Sequence, residues 1–444
     1  MGTITLFTSM LLVLFSFSNL VNAAAKTSTE LLPAEREALL RWKSSLDYNE
    51  VAIVPSWNTT NSSCQTWDGI TCSEEGSVIG IDLSNHYLQG KSHLQGMLTH
   101  LNFSSLPNLS IFNLNGNDFR GKIPQEIGTL SKLTILDLGG NSFSGELPIS
   151  LGNLTSLVHL DISWNNINGT LDPRLFSNWS QLQYLRLDNN YLGGNIPPEL
   201  GNLKKLTELF ISTNQISGSI PSELMCLENF YELSLSYNQL TGPIPSTQCH
   251  LINLKYLSLH FNHISGPIPV SLLYSTKLRF LYLHSNHING SIPPEIGNLI
   301  HLEHLKLYDN EISGQLQSGV GRLSRLELLE LSHNKLTGPI PEQLGDLGKL
   351  SRLELNGNDL SGKIPYKLYL VPYLDLSENS LTGVVQWQLG NMAPFHILEL
   401  AGWNYIPATT KIYVSITAIL HHVITAFQNV IQPPRLAESG ISSL

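Results

Sequence analysis

Charge is scarce in this chain of 444 residues: Asp, Glu, Lys and Arg together make up 14%, against about 25% in an ordinary soluble domain. The basic side is the poorer one, with 25 Lys and Arg against 35 Asp and Glu, a formal net charge of −10. That balance excludes the broad basic footprint that neutralises nucleic-acid phosphates, so no nucleic-acid partner is expected. Catalytic signatures are missing too. There is no phosphate-cradling Gly-rich loop, no kinase catalytic loop and no nucleophile elbow in a strand-turn-helix setting. Gly319-Val320-Gly321 reads as turn chemistry, and His301-Leu302-Glu303-His304 lacks the spacing of a zinc helix motif. No enzymatic activity, cofactor or metal is therefore expected.

What is present points to the secretory route. The apolar run over residues 4–17 is too short to span a bilayer and is followed by Val21-Asn22-Ala23, a small-residue cleavage site, so residues 1–23 read as a signal peptide although no Lys or Arg precedes the run. Asn-x-Ser/Thr sequons occur at Asn58, Asn61, Asn102, Asn108, Asn153, Asn168, Asn178 and Asn289, eight candidate glycan sites for a secreted chain. Four cysteines fit an oxidising compartment: Cys64 and Cys72 lie close in sequence, Cys226 and Cys249 much further apart.

Self-similarity dominates the rest. Leu305-Lys306-Leu307-Tyr308-Asp309-Asn310 recurs as Leu329-Glu330-Leu331-Ser332-His333-Asn334 and as Leu353-Glu354-Leu355-Asn356-Gly357-Asn358, a period of 24 residues. The marking asparagine falls at 117, 141, 165, 190, 214, 238, 262, 286, 310, 334, 358 and 379, with His86 in its place in a diverged first copy. In L-x-x-L-x-L-x-x-N the alternating leucines of a short strand point one way and the intervening residues the other. One repeat cannot bury its leucine side; stacked neighbours can, each Leu contributing roughly 1.5–3 kcal/mol before entropy. The asparagine is expected to turn inward and satisfy backbone groups. In the segment that follows, such as Leu336-Thr337-Gly338-Pro339-Ile340-Pro341, Gly tolerates positive φ and the prolines are expected to stop regular pairing on the outer side. The 31-residue step from His86 to Asn117 carries its excess around residues 91–99, read as an inserted loop. Cys226 and Cys249 take nearly matching places on adjacent repeats and could bridge or remain buried thiols.

The pattern L-x-x-L-x-L-x-x-N-x-L-x-G-x-I-P resembles the plant-specific leucine-rich repeat of receptor-like kinases and receptor-like proteins, over about residues 34–383. Ala38-Leu39-Leu40-Arg41-Trp42-Lys43, Trp57, Cys64, Trp67-Asp68-Gly69-Ile70 and Cys72 are similar to that family's amino-terminal cap. Residues 101–109, Leu-Asn-Phe-Ser-Ser-Leu-Pro-Asn-Leu, are similar to early repeats of receptor kinases that sense small secreted peptides. The resemblance implies an α/β repeat solenoid: a right-handed curved superhelix with one parallel concave β-sheet, an irregular or 3-10 convex side and an N-terminal helical cap. It implies a Cys64–Cys72 disulfide in that cap, and divides the chain into a signal peptide (1–23), a cap (24–77), about 13 repeats with a degenerate last one (78–407) and a non-repeat tail (408–444).

The concave side is the expected contact surface. Its candidate residues are Trp164, Tyr184, Arg186, Asp188, Phe210, Tyr237, Tyr256, His260, Phe261, Phe280, Tyr282, His284, His304, Lys306, Tyr308 and Asp309. Aromatics and Arg on a solvent face are the usual anchors of interfaces, though single surface aromatics are also ordinary. The resemblance implies an extended peptide along the sheet, but the family's Arg-x-Arg clamp for a terminal carboxylate is absent; Tyr282 with His284, and Lys306 with Tyr308, stand in comparable places. Fifteen histidines, several on this face, allow binding that responds to an acidic wall space or simple surface filling.

After residue 383 the pattern decays: Ile397-Leu398-Glu399-Leu400 begins another strand, but Trp403 stands where Asn belongs. Residues 412–431 are apolar but interrupted by His421, His422, Gln428 and Asn429, which favours a weak helix or a poorly ordered tail over a membrane span. The expected protein is secreted or loosely membrane-attached and binds a peptide or protein ligand, or a co-receptor ectodomain. A rival reading is an inhibitor of a wall-degrading enzyme, which an acidic sheet would favour; the negative charge is not concentrated at the concave positions named above. A third is a truncated receptor-kinase product without signalling activity.

Overall fold

The computed structural model describes residues 30–46, 54–60, 63–84, 93–382, 396–399 and 411–414; residues 1–23, Asn61 and nearly all of the tail lie outside them. The chain opens on helix α1, Pro33–Ser45, with Pro at its first position, Glu35 in the first turn and Lys43 in the last, the placement a helix dipole favours. Ala38, Leu39 and Trp42 form its buried stripe. The Trp42 ring lies 5.9 Å from Phe119, stacked, and 6.2 Å from Phe112, so the cap shares a core with the first repeats. Buried Glu35 accepts hydrogen bonds from Ser77 Oγ and Val78 N, each 2.6 Å, tying the helix to the first repeat strand. Cys64 and Cys72 are bridged, with Cα atoms 6.2 Å apart.

Sixteen strands form one sheet, in which Ile70–Cys72 pairs antiparallel with Val78–Asp82 and every following neighbour is parallel until the last pair. Its repeat strands are three residues long, for example Tyr184–Arg186, Glu208–Phe210, Glu232–Ser234, Tyr256–Ser258, Phe280–Tyr282 and His304–Lys306, each with a leucine at its centre. Those leucines are at most 1% exposed. Three-residue parallel strands could not survive alone; the core they cover runs without a break from Leu31 to Leu381.

Every marking asparagine from 117 to 379 is bound into this core. Asn286 is typical: its Nδ2 donates to the carbonyls of Leu259, Leu283 and His284 at 3.1, 3.1 and 3.2 Å, while its Oδ1 accepts from Ile264 N at 2.9 Å. One amide thus satisfies backbone groups of two successive turns, which only a side chain with donors and an acceptor on a short stem can do.

The outer side is more regular than expected. Short parallel sheets of four, five and four strands run along it, such as Gln239–Pro243 with His263–Gly266 and Lys335–Pro339 with Asp359–Lys363. Proline ends these strands without abolishing them, because it sits last in its strand (Pro243, Pro339) and lacks only the donor. The glycine of each segment holds φ near +75°, as at Gly242 and Gly338. A run of 3-10 turns, from Phe103–Ser105 to Tyr366–Leu370, forms the convex back.

Two further expectations change. Part of the stretch read as an inserted loop is ordinary repeat: Gln95–Met97 is the first strand of an outer sheet and Leu98–His100 a 3-10 turn, with Leu94 and Leu98 fully buried. The extra residues therefore fall before His93, within 85–92, outside the described residues. At the other end His396–Glu399 continues the main sheet as expected, but Lys411–Val414 pairs antiparallel with it as a strand, not as the start of a helix or a structureless tail. Among the described residues no helix is long and apolar enough to cross a membrane.

Candidate ligand-binding face

Because the strands are in register, the concave side is a set of rows, one residue per repeat. The first strand position gives Ile135, His159, Tyr184, Glu208, Glu232, Tyr256, Phe280, His304, Leu328, Arg352 and Tyr373 as neighbours. The third strand position, the second row of this face, gives Asp137, Asp161, Arg186, Phe210, Ser234, Ser258, Tyr282, Lys306, Glu330, Glu354 and Asp375. Beyond the strand, Asp188, His260, His284 and Tyr308 form a third row, and Trp164, Tyr237, Phe261 and Asp309 a fourth.

The fourth row is a turn, not a strand. Trp164, Tyr237, Phe261 and Asp309 all have φ between 51° and 56°, as do the residues at the same place in five other repeats, and Gly116, Gly140 and Gly357 occupy it elsewhere. Left-handed backbone is uncommon for bulky residues and carries a penalty of order 1–3 kcal/mol. Trp164, Tyr237 and Phe261 are nevertheless 64%, 49% and 41% exposed, so burial in the core does not compensate.

The middle repeats gather most of the aromatic candidates. Tyr237 stacks on Phe261 at 4.6 Å between ring centroids; His284 lies between His260 and Tyr308, stacked at 4.3 Å on each. Tyr256 meets Tyr282 edge-on at 5.6 Å, Phe280 meets His304 at 5.0 Å, and Tyr282 Oη is 2.9 Å from His304 Nδ1. Trp164 and Tyr184 stand apart, towards the N-terminal repeats.

Two candidates are not exposed. Phe210 is 8% exposed because the Arg186 guanidinium lies 4.5 Å above its ring, itself held 3.2 Å from Glu208. His284 is 6% exposed between its two ring neighbours. Burial works against a pH-responsive patch: His260 is pushed down to about 4 by burial and by Lys306, and His284 to about 3 by burial, His260 and Lys306. His304 is lowered for the same two reasons.

The sequence reading missed the acids. Asp137, Asp161, Glu208, Glu232, Glu330, Glu354 and Asp375 all occupy the strand rows, seven carboxylates against the three cations Arg186, Lys306 and Arg352. Burial and the neighbouring Glu208 raise Glu232 to about 7; burial and Asp161 raise Asp188 to about 6. A short polar residue at an x position gives no aromatic or Arg signal; the register of the strands does, since it adds the charges row by row. Lys306 is held 3.0 Å from Glu330, and Arg352 also reaches Glu330 at 3.4 Å.

Cys226 and Cys249 are bridged, Cα atoms 5.1 Å apart, on the flank of the repeats that carry the aromatic patch. Of the seven sequons within the described residues, Asn102, Asn153, Asn168, Asn178 and Asn289 are exposed and Asn58 and Asn108 half-buried; none belongs to the concave rows.

Family models described as leucine-rich repeat N-terminal domain, leucine-rich repeat region and leucine-rich repeat match residues 32–73, 81–238 and 300–360, and single repeats match at 229–251, 253–274 and 277–299. Receptor-like protein 43 of Arabidopsis thaliana is 34% identical over 113 residues, 22% of this chain and 15% of that protein. The crystal structure of PEPR1–AtPEP1 superposes with a TM-score of 0.77 at 32% identity, covering 84% of this chain and 52% of that one. The Arabidopsis receptor kinase HAESA, in complex with the peptide hormone IDA and the co-receptor SERK1, gives 0.60 at 26% identity over 84% and 74%. The chain thus spans about half of the chain in the PEPR1–AtPEP1 structure, and its match to the curated relative is a small part of that protein.

Proposed function

The chain is a leucine-rich-repeat protein similar to plant receptor ectodomains, and from that premise we propose that it is an extracellular recognition protein that binds an extended peptide, or the ectodomain of a partner, on its concave face without catalysis. The observation that carries this reading is the exposure of Trp164, Tyr237 and Phe261 in a left-handed turn where three repeats use glycine. Strain without burial is retained where it does something else, and large rings against solvent are the usual anchors of an interface. From the strand of Tyr184 to that of His304 there are five strand spacings of about 4.8 Å, or about 24 Å, which an extended peptide of about seven residues would span. The half-buried rings of Tyr256, Phe280, Tyr282 and Tyr308 would line its path, with His260 and His304 offering neutral nitrogens. Signal peptide, sequons and disulfides fit an extracellular setting.

The test is to pan a displayed library of random linear peptides against the secreted full chain and against a Tyr237→Ala, Tyr256→Ala, Phe261→Ala variant. All three side chains lie outside the core, so far-UV circular dichroism and the unfolding midpoint should change little. Sequences enriched by the wild type and lost by the variant support the face; equal enrichment of the same sequences by both refutes it. The acidic rows favour a second reading, docking of a basic protein such as a wall-degrading enzyme, for which binding would weaken steeply with salt.

A further inference from the structure

On the N-terminal side of the aromatic patch, three side chains from adjacent strands converge. Asp137 and Asp161 are register partners in the second row, and His159 stands two residues before Asp161 in the first. One ligating atom from each of the three lies within 4.8 Å of the other two. Both carboxylates are only 4% exposed. Two like charges held side by side with so little water repel unless a cation lies between them.

The surroundings orient this group through one oxygen of each carboxylate. Asp137 Oδ1 accepts from Gly139 N at 3.0 Å and Asn115 Nδ2 at 3.1 Å; Asp161 Oδ1 accepts from Ser163 N at 2.8 Å and Ser163 Oγ at 2.6 Å. Among the described residues no hydrogen bond reaches either Oδ2, and the His159 ring makes none, meeting only Tyr184 at 5.6 Å. The nearest cation, Arg186, is the register partner of Asp161 on the next strand and feels its charge, but its hydrogen bond, 3.2 Å, goes to Glu208. Glycine at 139 lets the N–H and O–H donors close on the inner oxygens: a Cβ there would come 2.8 Å from Asn115 Nδ2, 3.0 Å from Asp161 Oδ1 and 3.3 Å from Asp137 Oδ1. Across these repeats the face carries Asp137, Asp161, Asp188, Glu208 and Glu232 against Arg186 alone.

We propose that Asp137, His159 and Asp161 form a site for a divalent transition-metal ion, with zinc as its representative. Two carboxylates and an imidazole are a donor set for such an ion; calcium takes six to eight oxygens and magnesium a near-octahedral oxygen shell, neither of which is assembled here. Backbone N–H and Ser163 hold one oxygen of each carboxylate and leave the other for the metal, the outer support that such ligands usually have. At metal–ligand distances of about 2.1 Å in a tetrahedral site, ligand atoms stand about 3.4 Å apart, so these must draw together by up to about 1.4 Å, a movement that falls mainly to the half-buried His159 side chain. Three protein ligands leave a coordination position towards the groove. If the concave face binds a peptide as proposed above, that position would take a carboxylate or imidazole of the bound chain; the metal site itself does not depend on that reading.

The secreted full chain, stripped with a chelator and dialysed, is titrated with zinc chloride by calorimetry, alongside His159→Gln, Asp161→Asn and the two combined. The expected result is one zinc per chain in the wild type, an affinity lower by roughly tenfold or more in each single variant, and no saturable binding at this stoichiometry in the double variant. Wild-type thermal unfolding should shift upward with zinc and not with equal calcium. Equal zinc binding by wild type and double variant, as the other histidines would give, overturns the site, and so does an equal response to calcium. Because His159 is half-buried and Gln retains its polarity, that variant remains informative if Asp161→Asn fails to fold. Peptide panning in chelator-treated buffer separates this inference from the peptide-binding reading.

Discussion

His284 offers a direct test of how the aromatic patch is built. Its ring is stacked at 4.3 Å on His260 and on Tyr308, its Nδ1 is buried without a hydrogen-bond partner, and burial with the nearby His260 and Lys306 lowers its pKa to about 3. In the unfolded chain the same side chain titrates near 6.5. A group with a depressed cationic pKa binds protons more readily when unfolded, so its contribution to stability is present above about pH 6.5 and is lost as pH falls towards 3. Between about pH 7 and about pH 5.5 the loss from this one residue is about 1.3 kcal/mol. Replacement by Gln removes the titration. The assay is urea unfolding of wild type and His284→Gln at both pH values; their stability difference should move by about that amount, whatever its offset at neutral pH. A difference that stays flat would refute the placement of a neutral, desolvated imidazole here.

A neighbouring carboxylate gives the opposite sign. Glu232 is raised to about 7 by burial and by Glu208, so it is tolerated when protonated, and its part in stability is lost as pH rises from about 4.5 through 7; Glu232→Gln should stabilise the chain at pH 7.5 by on the order of 2 kcal/mol and make no such gain near pH 4.5, read by the same unfolding assay. Asn286→Ala should lower stability by roughly 2–4 kcal/mol, because it strips a partner from Ile264 N and three carbonyls at a site 7% exposed. Its side chain points away from the groove, so peptide enrichment by the folded fraction should be unchanged; a loss smaller than about 1 kcal/mol would mean that water takes over those bonds.

The scaffold was legible in the sequence because each of its parts repeats. A leucine every second residue and an asparagine every 24 can be phased against a dozen copies, and Asn286, Leu281 and Gly290 fall where that phase puts them. The expectations that changed concern side chains whose environment comes from the neighbouring repeat. Nothing local in Leu209-Phe210-Ile211 says that Arg186, a repeat away, will lie across the ring of Phe210. The inserted segment was misplaced by a few residues because Leu94-Gln95-Gly96-Met97-Leu98 lacks the I-P signature, although it carries the same buried ends and glycine. The acids of the strand rows are easy to overlook one at a time, since a lone Asp at an exposed position is unremarkable and only the register shows that Asp137 stands beside Asp161.

That register also limits what the face can recognise. In the two strand rows the cations are Arg186, Lys306 and Arg352, and each lies against a carboxylate: Glu208 for Arg186, Glu330 for Lys306, Glu330 and Glu354 for Arg352. Displacing such a pair to bind a ligand carboxylate would leave Glu208 or Glu330 buried and uncompensated, 6% and 5% exposed, at a penalty of several kcal/mol. The rows therefore present neutral rings between regions of surplus negative charge, towards Asp137 on one side and Asp375 on the other. Unless a metal occupies the Asp137–His159–Asp161 site, a terminal carboxylate has no unpaired partner on these rows, whereas a chain with cationic side chains at its ends and apolar ones between meets complementary chemistry along the metal-free face. Selectivity for such a ligand would come from what the face refuses as much as from what it holds.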